Sequence, residues 1–281
     1  MNSRLLVNLF LLISVVAVGL FIVNSPDKTE SQIIRLGGPN SDAITDITIQ
    51  RSGLADIHLE KKNNHWWMTN PYKVRANKVP IETLLDLNQT ISHSRFSAEN
   101  KSLNDYDLQP AKASLAFNGV EYLFGNIEHI NKRRYILKNN TIHLTTDLFY
   151  HRLRTNTEAF ISPKLISADS KIVAITLPEL TLNKSAQGKW LLSGKPATNT
   201  VSNDAIQTLL DHWKNKQAIQ VLPAKIKGDE QAIQLVFTDN SSINFLVNRS
   251  KNNFTLIRSD LGLQYQVPVS AANDLLNLSQ P

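Results

Sequence analysis

The sequence predicts an α+β protein: an N-terminal transmembrane helix followed by two tandem repeats of mainly antiparallel strands, each repeat carrying one longer helix. Three observations lead there. Residues 5–23 form an uncharged apolar run of nineteen residues interrupted only by Asn8 and Ser14. Beyond it, short alternating apolar segments are joined by connections of hairpin length, which suit antiparallel pairs rather than parallel crossovers. The order of those segments then recurs about 120 residues later.

The apolar run comes first. At about 1.5 Å per residue it spans roughly 28 Å, close to the hydrocarbon thickness of a bilayer. Ala17-Val18-Gly19 has the small-x-small form of a cleavage site but lies inside the run, and no cysteine follows for lipid attachment. Residues 1–24 are therefore read as an uncleaved signal anchor. Arg4 precedes the span, whereas Asp27, Lys28 and Glu30 follow it, so the bulk of the chain is expected outside the cytoplasm. Residues 25–42 read as a polar tether.

The first repeat is assigned to residues 43–160. Ile44, Ile47 and Ile49 open a strand, Leu54, Ile57 and Leu59 lie in a second, and Trp66, Trp67 and Met68 in a third. The run ANKVPIETLLDLNQTI reads as a helix with Asn77 as N-cap, Pro80 in the first turn and Ile81, Leu84 and Leu85 on one face. Hairpins are expected across Asn118-Gly119 and Asn139-Asn140, and DLFYHRL closes the unit as a short helix.

The second repeat is assigned to residues 168–281, with the boundary around residues 160–168. KIVAITL, ELTLNK and KWLLSG match the first three strands, and SNDAIQTLLDHW the helix. Thr208-Leu209-Leu210-Asp211 follows Thr83-Leu84-Leu85-Asp86 by 125 positions, and Leu235 to Phe237 follow Leu115 to Phe117 by 120. Trp190 aligns with Trp66, which makes Trp66 the inward residue and Trp67 the outward one, since neighbours on a strand face opposite ways.

Several chemistries are excluded or unsupported. With no cysteine, disulfides, thiolate catalysis and cysteine metal sites are excluded. The seven histidines show no metal-ligand spacing, and His58 and His143, each between apolar strand neighbours, are expected to face solvent. No serine elbow, phosphate loop or dinucleotide fingerprint is present, and no cofactor is expected. Asp105 and Asp107 flank Tyr106 in a pattern that reads as a turn. The net charge of +6 is mild for 281 residues and demands no nucleic-acid partner. What remains is a candidate contact surface: Trp67 with Lys73, Arg75 and Lys78, and the run Lys132, Arg133 and Arg134.

The ordered elements WWMTNP from Trp66 to Pro71, Tyr106-x-Leu108-x-Pro110, Phe124-Gly125 and Tyr135-Ile136 resemble those of the domain-of-unknown-function family 4340. Asp107 stands where that family usually has glycine. The resemblance covers residues 44–154, and it implies a bacterial, membrane-anchored, extracytoplasmic protein; some members are encoded beside gliding-motility-type ABC transporter subunits. The function expected on this basis is a non-enzymatic, single-pass inner-membrane protein. Its periplasmic domains would serve an envelope transport or assembly complex and bind another envelope protein such as a transporter subunit. Two alternatives accompany it: a binding module for anionic lipid or envelope polymer acting through Lys132, Arg133 and Arg134, and a periplasmic hydrolase with a carboxylate site between the repeats.

Overall fold

A computed structural model describes residues 3–24, 33–38, 40–194, 202–250 and 253–278; within the first helix, side chains are described at Val7 and residues 9–20. That helix, α1, covers Ser3–Asn24. Among the described residues no helix is long and apolar enough to cross a membrane. The tether residues 25–32 and 39, and the second-repeat turn that holds Lys195, lie outside the described residues.

The first repeat is a nine-stranded antiparallel sheet. Its strands are β1 (Asp46–Arg51), β2 (Ile57–Lys62), β3 (His65–Asn70), β4 (Val74–Arg75), β5 (Ser94–Ser97), β6 (Ala113–Phe117), β7 (Val120–Ile127), β8 (Arg133–Lys138) and β9 (Thr141–Thr146). They lie in the order β4-β3-β2-β1-β6-β7-β8-β9-β5. Helix α2 (Lys78–Leu85) connects one edge, β4, to the other, β5, and α3 (Tyr150–Leu153) follows the last strand. The second repeat adds β10 (Ile172–Thr176), β11 (Leu180–Lys184), β12 (Trp190–Gly194), α4 (Asn203–Asn215), β13 (Gln220–Pro223), β14 (Gln231–Phe237), β15 (Ser242–Ser250), β16 (Asn253–Arg258), β17 (Leu263–Val267) and α5 (Ala271–Leu276). Its order, β12-β11-β10-β14-β15-β16-β17-β13, repeats that of the first sheet from β3 onward.

Register carries the duplication to the level of single residues. Ile47 faces Phe117 and Ile49 faces Leu115 in the first sheet; Ile172 faces Phe237 and Ile175 faces Leu235 in the second. All eight are buried. The entry to each repeat also matches: Arg35 bridges Ile91, and Lys164 bridges Gln217, each just before the last edge strand.

Local chemistry explains the turns. Asn63-Asn64, Asn118-Gly119 and Asn139-Asn140 all hold positive φ, as two-residue hairpins require of both central residues. Asn77 caps α2 by accepting from the Val79 amide, and Ser202 caps α4 by accepting from Ala205. On α4, Ile206, Leu209, Leu210 and Trp213 are buried at helical spacing. In α2 the same face ends early, because a tighter 3-10 turn takes over at Asp86–Gln89. Leu54 departs from expectation: it lies in the turn around Gly53 (φ 77°), before β2 begins.

The boundary segment is bound to both repeats. Asn77 donates to Phe160 O and Ser162 to Arg75 O on one side, while Ala218 donates to Pro163 O on the other. Phe160, Ile161, Leu165 and Ile166 are buried in a core cluster that runs through both repeats. Arg51, 4% exposed, ties β1 to the end of the first repeat by donating to Thr155 O (2.9 Å) and Thr157 Oγ1 (3.0 Å).

Candidate functional site

The expected contact residues fall into two groups that the sheet keeps apart. Trp66 is 6% exposed and Trp67 37%, so the strand alternation holds, with Trp67 outward. The register confirms the pairing of copies: Lys61 faces Trp66 and Lys184 faces Trp190. Arg75 on β4 sits directly across from Trp67, its guanidinium 5.4 Å from the ring centroid. Lys73 is exposed beside them, and exposed Lys78 pairs with Glu82 at 2.9 Å on the first turns of α2.

The run Lys132–Arg134 lies at the β7–β8 turn, five strand spacings from β3, or about 24 Å along the sheet. Lys132 is exposed and Arg133 half-buried. Arg134 corrects the expectation of a contact residue. It is 7% exposed and forms a bidentate pair with Asp147, Nε to Oδ1 and Nη2 to Oδ2, both 2.8 Å. It also donates to Gly125 O and lies 3.8 Å from the centre of the Tyr150 ring. A guanidinium buried and paired in this way holds β8, β7 and α3 together rather than standing open on the surface.

Of the resemblance elements, the turn of Tyr106 and Leu108, Gly125 and Tyr135 pack together on one face of the first sheet, whereas Trp66, Met68, Phe124 and Ile136 belong to the main core. Tyr106 packs between Phe96 (5.8 Å) and Tyr135 (4.9 Å), with Leu108 buried beneath. A Cβ on Gly125 would meet Tyr106 O at 2.2 Å, so only glycine lets this turn lie on the strand. Asp107 does take the left-handed conformation (φ 53°, ψ 33°), with Lys112 3.5 Å from its carboxylate. Asp105 and Asp107 thus serve a turn.

His58 is half-exposed, as expected, 2.5 Å from Asp46 Oδ2. His143 is not: it is 6% exposed, its Nδ1 2.9 Å from Ser92 Oγ. Burial first, then the charges of Lys138 and Arg95, push its pKa down to about 4, so the ring is neutral near pH 7.

His143 faces a cleft of about 340 Å³ between residues 34–38 and β5, β8 and β9, also lined by Arg35, Arg95, Lys138, Asn139 and Thr141. The chain reaches this position because Leu36 donates to Thr90 O and Gly37 to Asn88 O, holding it against the end of α2. A Cβ on Gly37 would lie 2.1 Å from Asn88 Oδ1, so glycine permits the contact. Lys138 donates to Leu36 O (2.8 Å) and sits 5.1 Å over the Tyr122 ring, whose hydroxyl donates to Asn88 Oδ1 (3.3 Å). Sequence reading missed this cleft. The signal within reach was IIRLGGP, whose apolar–cation–apolar–Gly-Gly pattern suits a strand-like segment in close backbone contact rather than a free tether.

A second cleft of about 300 Å³ is lined by Gln50, Asp56, Lys112 and Glu121 among others, and so mixes both charges. The second cleft is lined by first-repeat residues, and the first cleft by the first repeat together with residues 34–38. No group of three His, Asp or Glu side chains that could hold a metal is present among the described residues.

Fold and site together define a tandem-repeat α+β protein, two meandering antiparallel sheets that each use a helix to cross from edge to edge. The model of the family described as "Domain of unknown function (DUF4340)" matches residues 66–235, more than half of the chain, and the chain belongs to that family. The match begins in β3 and ends in β14, so it crosses both repeats. No curated protein and no solved structure matches the chain.

Proposed function

We propose that this is a single-pass protein of the bacterial inner membrane, whose two sheets lie in the periplasm as a non-catalytic interaction module of an envelope complex of ABC-transport or assembly type. The observation that carries the reading is the surface of α1. Val7, Leu9, Phe10, Leu11, Leu12, Ile13, Val15, Val16, Val18 and Leu20 are each more than half exposed. Covering such a side chain is worth about 1.5–3 kcal/mol, so a helix apolar on every face requires an apolar surround. A bilayer supplies it for the nineteen-residue run at 5–23.

Arg4 ahead of the apolar run supports the extracytoplasmic placement, and the outward Trp67 with Arg75, Lys73 and Lys78 supplies a contact face of aromatic and cationic character. Membrane extraction with alkaline carbonate, followed by photocrosslinking from Trp67 and Lys73 positions in native membranes, tests both halves. The reading expects retention in the membrane and a crosslink to a discrete integral membrane protein. Release by carbonate refutes the anchor, and a chain crosslinked to nothing refutes the interaction module.

A further inference from the structure

We propose that the cleft under residues 34–38 binds a phosphate-type anion, a phosphomonoester or phosphodiester, with Arg35, Arg95 and Lys138 as its cationic ligands. Its lining contains three cations and no carboxylate. None of the three is in an ion pair among the described residues, where seven pairs engage other cations. Lys138 is fixed rather than free: a carbonyl and an aromatic face hold its ammonium, and neither neutralises it. The cleft therefore carries an uncompensated positive field that a compact anion with several acceptor oxygens satisfies best. Burial first, and then the charges of Lys138 and Arg95, depress the pKa of His143 at the same cleft.

The second repeat is an internal control. Followed through the strand pairings, Arg95 facing His143 corresponds to Val221 facing Tyr265, and Lys138 at its hairpin base corresponds to Arg258. There Arg258 is neutralised by Asp260 at 2.7 Å. The same scaffold thus exists with an apolar pair and a closed ion pair, and the fold does not need the open cation set.

The source of the anion rests on the anchor reading above. Residues 25–33 separate α1 from Ile34, and their greatest reach is about 35 Å, which sets the cleft within range of the lipid phosphates at the membrane surface. The full chain in zwitterionic detergent at low salt is titrated calorimetrically with sn-glycerol 3-phosphate and with inorganic phosphate. Both are expected to bind, and Arg95→Gln, an exposed change, and Lys138→Gln each weaken binding about tenfold or more, whereas Lys132→Gln does not. No binding, or equal binding by Arg95→Gln and Lys138→Gln, overturns the site. In phosphatidylcholine nanodiscs, adding phosphatidylglycerol is expected to slow exchange of the Leu36 and Gly37 amides, and Arg95→Gln removes the effect. Exchange indifferent to phosphatidylglycerol, with the solution probes still bound, overturns the lipid source and assigns the cleft to a free phosphate compound. Failure to enter either disc overturns the anchor reading and leaves the calorimetric result standing.

Discussion

Replacing Arg134 distinguishes a scaffold cation from a contact cation. The bidentate pair with Asp147 has side chains only 8% and 24% exposed. Removing one partner of a buried pair costs about 3–5 kcal/mol, because the other charge is stranded. Asp147 keeps some water, which places the charge part near about 3 kcal/mol. The guanidinium over Tyr150 adds about 1 kcal/mol, so Arg134→Ala is expected to cost about 4 kcal/mol. Asp147→Asn keeps an acceptor but leaves the more buried guanidinium without its counter-charge, and is expected to cost about 3 kcal/mol. Arg133→Ala, next along the strand and half-buried, is expected within about 0.5 kcal/mol of the parent. Urea unfolding of the full chain in detergent reads these as midpoint shifts of roughly 1.5–3 M for Arg134→Ala at a slope of about 1.5–2.5 kcal/mol per molar. The double variant Arg134→Ala/Asp147→Ala should be less destabilised than the two single changes added together. A midpoint for Arg134→Ala equal to that of Arg133→Ala would refute the reasoning and return Arg134 to the surface.

Three further outcomes are expected. His143 has its folded pKa lowered to about 4 while the unfolded ring titrates near 6.5, so the unfolded state binds the proton first; its contribution to stability is complete above pH 6.5 and is lost as pH falls toward 4. That loss is about 3 kcal/mol, is absent in His143→Gln, and an NMR titration midpoint near 6.5 for the folded ring would contradict it. Gly125→Ala forces the Tyr106 turn off β7 and is expected to cost about 2–3 kcal/mol in a urea midpoint, against about nothing for Gly53→Asn in its open positive-φ turn. Trp67→Ala is expected to leave the unfolding midpoint within about 1 kcal/mol while Trp66→Ala costs about 3–5 kcal/mol, and equal costs would undo the assignment of inward and outward faces.

What was legible in the sequence was whatever a local rule governs. The Asn-Gly and Asn-Asn hairpins, the Asn77 cap and the outward turn of Trp67 each follow from a few adjacent residues. So did the duplication, because two copies of one order need no knowledge of where the strands lie. The misplacements share a different cause. His143 is buried because residues 34–38, more than a hundred positions earlier, lie over β9, and Arg134 is buried because Asp147 and Tyr150 close on it from beyond the next strand. Alternation along a strand tells which residues share a face; it does not tell that both faces of β9 are covered. The short edge strands β4 and β5 were missed for the same reason, since runs as short as Val74–Arg75 and Ser94–Ser97 become strands only through their neighbour. The cleft was hidden because its cations stand on three segments that meet only in the folded sheet.

Comparing the repeats shows where in the molecule a specific role must sit. In the second, Trp213 fills the end of the helix face at 0% exposure, donates to Leu275 O (3.0 Å) and stacks on Phe245 (5.6 Å). The first repeat has buried Asn88 at the corresponding place, 125 positions earlier, accepting from the Tyr122 hydroxyl at its side chain and from the Gly37 amide at its carbonyl. Burying polar groups costs about 1–3 kcal/mol each wherever a hydrogen bond is missing, and an apolar filling of this scaffold demonstrably exists in the same chain. The first repeat therefore keeps buried polar groups, Asn88 and His143, beside an open cation-lined cleft where the second is apolar. The proposed anion site gives that difference between the repeats a role. If so, swapping Arg95 and His143 for their second-repeat counterparts, Arg95→Val with His143→Tyr, should raise the urea midpoint while abolishing phosphate binding. A double variant that loses stability instead would mean that these residues serve the fold.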